Sequence, residues 1–419
     1  METGYRLDGA QTMNILHVIA SVKPRDGGPS VCAPSLAASQ ARLGHEVTLA
    51  YHGENGEGSD LDWARYSIPH IDLVEWVDVP RGRGLARLTA AAAIQGLAQY
   101  IGAADVVHLH GVWDPLVLRA ASLAFRSNTN YVITPHGMLN PWSLSQKPLR
   151  KKVVMWALVR RLLDGATFIH ALTRDEEDAI RALNSSYSVC VIPNGVFLDA
   201  HKSAGTTELL DHVPQLKGRN YILFLGRLHH MKGLDYAVQG FARFARTVRD
   251  VDWVVAGPDA GEKQRLLESV QELGIADRVH VVGPLLGSLK DAALRNASCL
   301  LQPSRNEGFS MSILEALAAG VPVVISQHCH FDEVADAEVG AVVPLDAQAI
   351  SEALVTVCTM PEGRIKTARK ARQMLAERYN WGRIATAMLN EYGHETDSAQ
   401  DRVAARAFSA KRGVMSSGG

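Results

Sequence analysis

The chain lacks any cysteine pairing pattern: Cys32, Cys190, Cys299, Cys329 and Cys358 are scattered, with no C-x-x-C among them. That excludes a small disulfide framework and a cysteine-based zinc site, and it suits a reducing compartment. An excess of one charge is missing too, since 43 Lys and Arg face 44 Asp and Glu. No long-range field steers the molecule to nucleic acid, so any anion must be bound locally. Residues Met1–Thr12 are polar with charges of both signs and read neither as a signal peptide nor as a membrane span. A cytoplasmic location, at the inner face of the membrane if lipid is involved, is the matching expectation. Met13 opens the first apolar run, and Met1 and Met13 both stand as candidate starts. No G-x-G-x-x-G follows that run, and Gly27-Gly28 lacks its spacing. This argues against a NAD-dependent dehydrogenase.

What is present is a long chain with two similar halves. At 419 residues, 47% hydrophobic and 21% charged, it exceeds what one core usually serves. Short Val-, Ile- and Leu-rich runs at Asn14–Ile19, Glu46–Ala50, Asp105–Leu109, Tyr131–Thr134, Phe168–Leu172 and Val189–Ile192 predict strands. Helical periodicity at Ser30–Leu43, Leu85–Gly102, Leu116–Ser127, Leu149–Asp164 and Arg174–Leu183 alternates with them. After a polar stretch, His201–Arg219, read as an interdomain linker, the pattern restarts. Its strands are Tyr221–Leu225, Asp252–Ala256, Val279–Val282, Cys299–Gln302, Pro322–Ile325 and Ala341–Val343. The fold class is therefore α/β, with two Rossmann-like domains facing each other across a cleft. The expected division is 13–200, 217–380, a C-terminal helix at 381–393 that packs back on the first domain, and a mobile tail at 394–419.

Two segments of the second half carry chemistry. Gly226-Arg227-Leu228-His229-His230-Met231-Lys232-Gly233 sets two cations five residues apart, in the turn between a strand and a helix. A guanidinium fork and an ammonium there can neutralise a diphosphate. The bland alternative is a solvated basic helix start, which opposes the helix dipole unless an anion is bound. In Pro303-Ser304-Arg305-Asn306-Glu307-Gly308-Phe309-Ser310-Met311-Ser312-Ile313-Leu314-Glu315 a strand ends, a loop follows and a helix begins near Ser310. The free N–H groups of that helix start suit phosphate, and carboxylates at Glu307 and Glu315 suit sugar and ribose hydroxyls. Alternatively, Glu315 is a solvated helix residue and Glu307 a dipole partner.

These two motifs, in this order and spacing, resemble the retaining GT-B glycosyltransferases of family 4, whose E-x7-E element matches Glu307 and Glu315; the resemblance covers about residues 13–392. It implies a hexose transfer from a nucleotide-sugar donor to a sugar or lipid-linked acceptor in cell-surface polysaccharide synthesis, with neither metal nor cofactor. It implies that Glu307 holds the donor sugar, Glu315 the ribose, the Gly308, Phe309 and Ser310 backbone the sugar and phosphates, and Arg227 and Lys232 the diphosphate. Gly283 and Leu285 then stand where family members contact the base through backbone groups.

The first half supplies the other wall. Gly27-Gly28-Pro29 permits close backbone approach between the first strand and helix, and by resemblance flanks the donor phosphates. His136, in Thr134-Pro135-His136-Gly137, resembles the family histidine at the reacting centre. His110 and Trp113, in Leu109-His110-Gly111-Val112-Trp113, are acceptor-site candidates, Trp113 with its neighbour Asp114 as part of an acceptor platform. Each histidine has a structural reading as well, as a hydrogen-bonded turn residue. Lys147–Arg161 is basic at both ends and apolar between. It reads as an ordinary amphipathic helix, or as a peripheral contact with an anionic membrane.

For the chemistry, front-side attack, in which the leaving diphosphate takes the acceptor proton, is implied over a double displacement; His136, Glu307, Arg227 and Lys232 are the catalytic-site candidates. The rivals are a GT-B epimerase or synthase on the same fold, and a catalytically silent nucleotide-sugar-binding subunit.

Overall fold

The computed structural model describes residues 11–53, 59–80, 91–145, 153, 158–198, 206–359 and 363–393. Seven parallel strands form the first sheet: β1 Asn14–Ile19, β2 Glu46–Tyr51, β3 Glu75–Asp78, β4 Val106–His110, β5 Asn130–Thr134, β6 Phe168–Ala171 and β7 Val189–Val191, in the order β3-β2-β1-β4-β5-β6-β7. Six more form the second: β8 Asn220–Leu225, β9 Val251–Ala256, β10 Val279–Gly283, β11 Cys299–Gln302, β12 Val323–Ser326 and β13 Gly340–Val343, in the order β10-β9-β8-β11-β12-β13. Helices cover both faces, so the inner strands are buried on two sides and read as continuous apolar runs. Every residue of β9 is buried, for example.

Both sheets reverse direction at one place, between β1 and β4 in the first and between β8 and β11 in the second. In open parallel sheets the ligand crevice lies at the carboxyl ends of the strands at such a reversal. The topology thus brings the loops after β1, β4 and β5 to the same cleft as the loops after β8 and β11. These are the loops that hold Gly27-Gly28, His110, His136, Arg227 to Lys232 and Pro303 to Ser310.

The helix at 381–393 follows the second domain in sequence but packs on the first. Trp381, Ile384, Met388 and Tyr392 share a core with Ile15, Leu36 and Leu49. The chain crosses twice between domains at one point, where Val196 N donates to Tyr379 O at 2.7 Å.

Three features depart from the sequence reading. The stretch read as a linker contains a helix, Thr206–His212, with Leu209, Val213 and Leu216 buried in the second-domain core. Their spacing of four and three is helical, but polar neighbours conceal it. Strand β3 and the helix Ser59–Ser67 were not foreseen. The strand is a four-residue edge with acidic ends, E-W-V-D, and charged edges guard against pairing with other chains. Of the helix expected at Leu85–Gly102 the described part is Ala91–Ala103, and most of Lys147–Arg161, like all of 394–419, lies outside the described residues.

Candidate active site

The second-domain wall is assembled by two loops locked together. Gly233 has φ 67°, and a Cβ there would stand 1.9 Å from the Pro303 carbonyl oxygen, so only glycine lets the loop after β8 meet the loop after β11. Arg305 bolts the contact. Its guanidinium takes both carboxylate oxygens of Asp235 at 2.8 and 2.6 Å, donates to His230 O at 2.9 Å and lies 4.8 Å from the Tyr236 ring centre. Its backbone N donates to Met231 O at 2.8 Å.

This locking carries Lys232 to Glu307. The ammonium donates to Glu307 Oε1, which also accepts from Ser304 Oγ at 2.7 Å and Gln302 Nε2 at 3.0 Å. Burial pushes the Glu307 carboxyl up, but the Lys232 charge and these hydrogen bonds together outweigh it and hold it below the usual carboxylate range. Oε1 is thus saturated, and among the described residues no donor reaches Oε2. That oxygen remains to accept from a bound hydroxyl. Arg227 is exposed at the end of β8, without a side-chain hydrogen bond or ion pair among the described residues. Glu315 lies one turn into the helix Met311–Ala318 and pairs with Lys290 at 2.9 Å, a cation that no local motif singles out. A pocket between the domains runs past this pair, with Pro24, Val31, Leu286 and Met311 among its walls.

Other expected residues take more specific positions. Phe309 turns its ring into an aromatic group with Phe331 and Tyr379, 6.1 and 6.2 Å away, leaving its main chain for any ligand. Ser310 is the N-cap of Met311–Ala318, whose first N–H groups lack intrahelical partners. Gly283 ends β10 at a bulge with φ 76°. Leu285 buries its side chain in the second-domain core. Gly27 (φ 113°) and Gly28 precede the helix Pro29–Arg42, and a Cβ on Gly28 would stand 3.8 Å from Met311 across the cleft.

In the first domain His136 sits in a left-handed turn, φ 54°, half-buried. The turn is held by Glu176, whose carboxylate accepts from Gly137 N at 2.5 Å and Leu172 N at 2.9 Å. Gly137 and Gly308 meet backbone to backbone: a Cβ on Gly137 would stand 3.7 Å from Gly308 Cα. The two domains therefore touch between His136 and Glu307. His110 is only 4% exposed, and its ring joins His17 at 3.0 Å and His136 at 3.1 Å. Trp113 is half-buried against the first-domain core. Ring nitrogens of His17, His108 and His110 come within 4.8 Å of one another, near enough to share an ion, but all six nitrogens already have hydrogen-bond partners. Sequence reasoning missed His17, His108, His170, Glu176, Lys290, Gln302 and Arg305.

Comparison with known proteins follows the same division. Residues 27–195 match the glycosyl transferase 4-like domain, and residues 207–374 match glycosyl transferases group 1. A phosphatidyl-myo-inositol mannosyltransferase of Mycobacterium leprae is 27% identical over 77% of this chain and 85% of its own. A GDP-mannose-dependent alpha-(1-6)-phosphatidylinositol dimannoside mannosyltransferase of Mycobacterium tuberculosis is 26% identical over 91% of this chain and 96% of its own. In fold, the chain is similar to Anabaena HepE solved with UDP-glucose (TM-score 0.71, 19% identity, 91% of this chain and 100% of that one). With both domain models matched and the two-sheet architecture in place, the chain belongs to the family 4 glycosyltransferases of GT-B fold.

Proposed function

We propose that this glycosyltransferase moves a hexose, mannose being the first candidate, from a nucleotide-sugar donor to a lipid-linked acceptor, with retention of anomeric configuration and without a metal or other cofactor. The observation that carries the reading is the half-saturated Glu307, one oxygen fixed by Lys232, Ser304 and Gln302 and the other left for a sugar hydroxyl, beside the Gly137–Gly308 contact. Glu315 is assigned to the ribose and His136 to the reacting centre. The sugar phosphates lie along the start of Met311–Ala318, whose dipole, with Arg227 and Lys232, stabilises the charge that develops as the diphosphate leaves. In a front-side reaction that diphosphate also accepts the acceptor's proton, so positioning and electrostatics supply most of the catalysis.

Mannose and a lipid acceptor are supported by the relatives, whose names include a GDP-mannose-dependent enzyme acting on phosphatidylinositol dimannoside. A further relative from Xanthomonas campestris, 24% identical, is named for cellobiosyl-diphosphopolyprenol. Among the described residues no helix is long and apolar enough to cross a membrane. Exposed Trp142, Val153 and Leu158 on or beside the basic stretch suit a peripheral contact with the inner face of an anionic membrane.

Thermal shift against GDP, UDP, ADP and TDP and their sugars, with magnesium or with EDTA, tests the donor assignment, since a ligand that binds only the folded state raises the melting temperature. Stabilisation by GDP-mannose in EDTA, lost in Glu315→Ala, is expected. NMR of the product's anomeric proton then reads retention or inversion. Stabilisation by no nucleotide would overturn the donor assignment, stabilisation without any transfer would replace the reading with a silent nucleotide-sugar-binding subunit, and a product epimerised on the nucleotide would replace it with an epimerase.

A further inference from the structure

Behind His136 runs a continuous buried chain of hydrogen bonds that the reaction as described does not use. It starts at the Ile192 carbonyl, which faces His170 Nε2 at 2.6 Å. His170 Nδ1 meets Thr134 Oγ1 at 2.8 Å, and Thr134 Oγ1 meets His108 Nε2 at 2.6 Å. His108 Nδ1 meets the Tyr392 hydroxyl at 2.5 Å, and that hydroxyl meets Gln40 Nε2 at 3.5 Å. Gln40 Oε1 meets His17 Nε2 at 2.7 Å, His17 Nδ1 meets His110 Nε2 at 3.0 Å, and His110 Nδ1 meets His136 Nε2 at 3.1 Å.

A carbonyl can only accept, and that one constraint propagates. His170 must carry its proton on Nε2, so its Nδ1 accepts, so Thr134 donates to it. Thr134 has then spent its proton and must accept from His108 Nε2–H. His108 Nδ1 accordingly accepts from Tyr392 O–H, and the Tyr392 oxygen accepts from the Gln40 amide N–H. Gln40 Oε1 therefore takes a proton from His17 Nε2–H, His17 Nδ1 accepts from His110 Nε2–H, and His110 Nδ1 accepts from His136 Nε2–H. Every link is satisfied in one direction only, provided all five rings are neutral. Burial disfavours the charged form of each: it lowers His17 and His170 to about 4 and His136 to about 3, and depresses His108 and His110 as well.

We propose that this chain is a positioning device that fixes His136 as the Nε2–H tautomer, leaving Nδ1 as a hydrogen-bond acceptor for a substrate hydroxyl, with Gln40 and Tyr392 as the links that carry the direction from the Ile192 carbonyl to His136. Among the described residues Nδ1 of His136 has no hydrogen-bond partner, and the residue is half-buried beside the cleft. Gln40 is the link at which the direction can reverse, because its amide can present either oxygen or nitrogen to His17. Tyr392, on the helix that returns from the second domain, accepts from the amide N–H and so keeps the oxygen facing His17. Without Tyr392 the amide is free to turn, and the protons on His17, His110 and His136 are free to move to the other nitrogen of each ring.

The catalytic part of this inference rests on the assignment of His136 to the reacting centre, but the tautomer does not, so the two are measured separately. Two-bond 1H–15N spectra of the substrate-free protein, labelled at histidine, report which nitrogen of each ring is protonated. The expected wild-type pattern is Nε2–H on all five. In Tyr392→Phe and in Gln40→Met, His136 is expected to populate both tautomers, and kcat to fall about fivefold, as for loss of one oriented hydrogen bond, with KM for the donor less affected. A wild-type His136 protonated on Nδ1 overturns the proposal, and so does a folded variant with an unchanged His136 tautomer and only a lower melting temperature. Should neither variant fold, the wild-type pattern decides alone. Absence of any glycosyl transfer by the wild type would overturn the proposed function while leaving the tautomer result to stand or fall by itself.

Discussion

Acidification from pH 7.5 to pH 5 should destabilise this protein before most of its carboxylates titrate. His17, His108, His110 and His170 are at most 4% exposed. Desolvation lowers His17 and His170 to about 4, against a smaller upward effect of hydrogen bonds to Gln40 and the Ile192 carbonyl, and it lowers His108 and His110 too, aided by the neighbouring rings. Histidine in the unfolded chain titrates near ~6.5, so below that pH the unfolded state binds protons that the folded state refuses. Stability contributed by these groups is therefore complete above ~6.5 and is lost as pH falls toward ~4, where the folded groups begin to titrate. At pH 5 the unfolded state gains about 1.5 × 1.36, or ~2 kcal/mol, per histidine, hence ~4 kcal/mol from His17 and His170 together. His108 and His110 add to this with the same sign. Glu176, raised by burial, works the other way and offsets part of it. Against a domain stability of about 5–15 kcal/mol the loss is large. Urea unfolding at fixed ionic strength, in half-unit steps of pH, measures it, and a midpoint that stays flat from pH 7 to pH 5 would refute the argument.

Three substitutions probe the cleft. Lys232→Ala removes the cation from Glu307 and from the developing diphosphate charge, and should lower kcat by about 10²–10³-fold in a donor-consumption assay. Gly233→Ala places a Cβ 1.9 Å from the Pro303 oxygen, and should cost more than ~2 kcal/mol in urea unfolding and abolish nucleotide-induced stabilisation. Arg305→Lys keeps the charge but not the double contact with Asp235 or the stacking on Tyr236, so its melting temperature should fall nearly as far as that of Arg305→Ala.

Apart from the short edge strand β3, the strands of both sheets were legible because parallel strands buried on two faces leave unbroken Val, Ile and Leu runs, and the E-x7-E and Arg-x4-Lys spacings are local. What sequence concealed is what folding brings together from afar. Gln40 and Tyr392 lie 352 positions apart, and Lys290 reaches Glu315 from another helix. His108 and His110 did carry a signal, since residues two apart on a strand share a face. Glu176 carried one as well. Thr173-x-x-Glu176 reads as a capping box, and Thr173 Oγ1 does accept from Glu176 N at 3.2 Å. The carboxylate, however, reaches beyond its own helix to Gly137, which only the tertiary fold can reveal.

The helix 381–393 explains how a cleft between two domains can have one rigid wall. Its apolar side belongs to the first-domain core, and Gly195 packs so tightly on Trp381 that a Cβ would stand 2.7 Å from the indole. The segments that join the domains therefore cross side by side near Val196 and Asn380, where they form a bridge. A rotation of the second domain about that crossing would change the distance from Glu307 and Lys232 to the first domain. It would not disturb the histidine chain, because Tyr392, although last in sequence, moves with Gln40 and His108. The proton position on His136 is thus set by a core that stays whole whether the cleft is wide or narrow. The carboxylate and ammonium that complete the site come from the opposite wall, so the histidine chain and the Lys232–Glu307 pair belong to different cores.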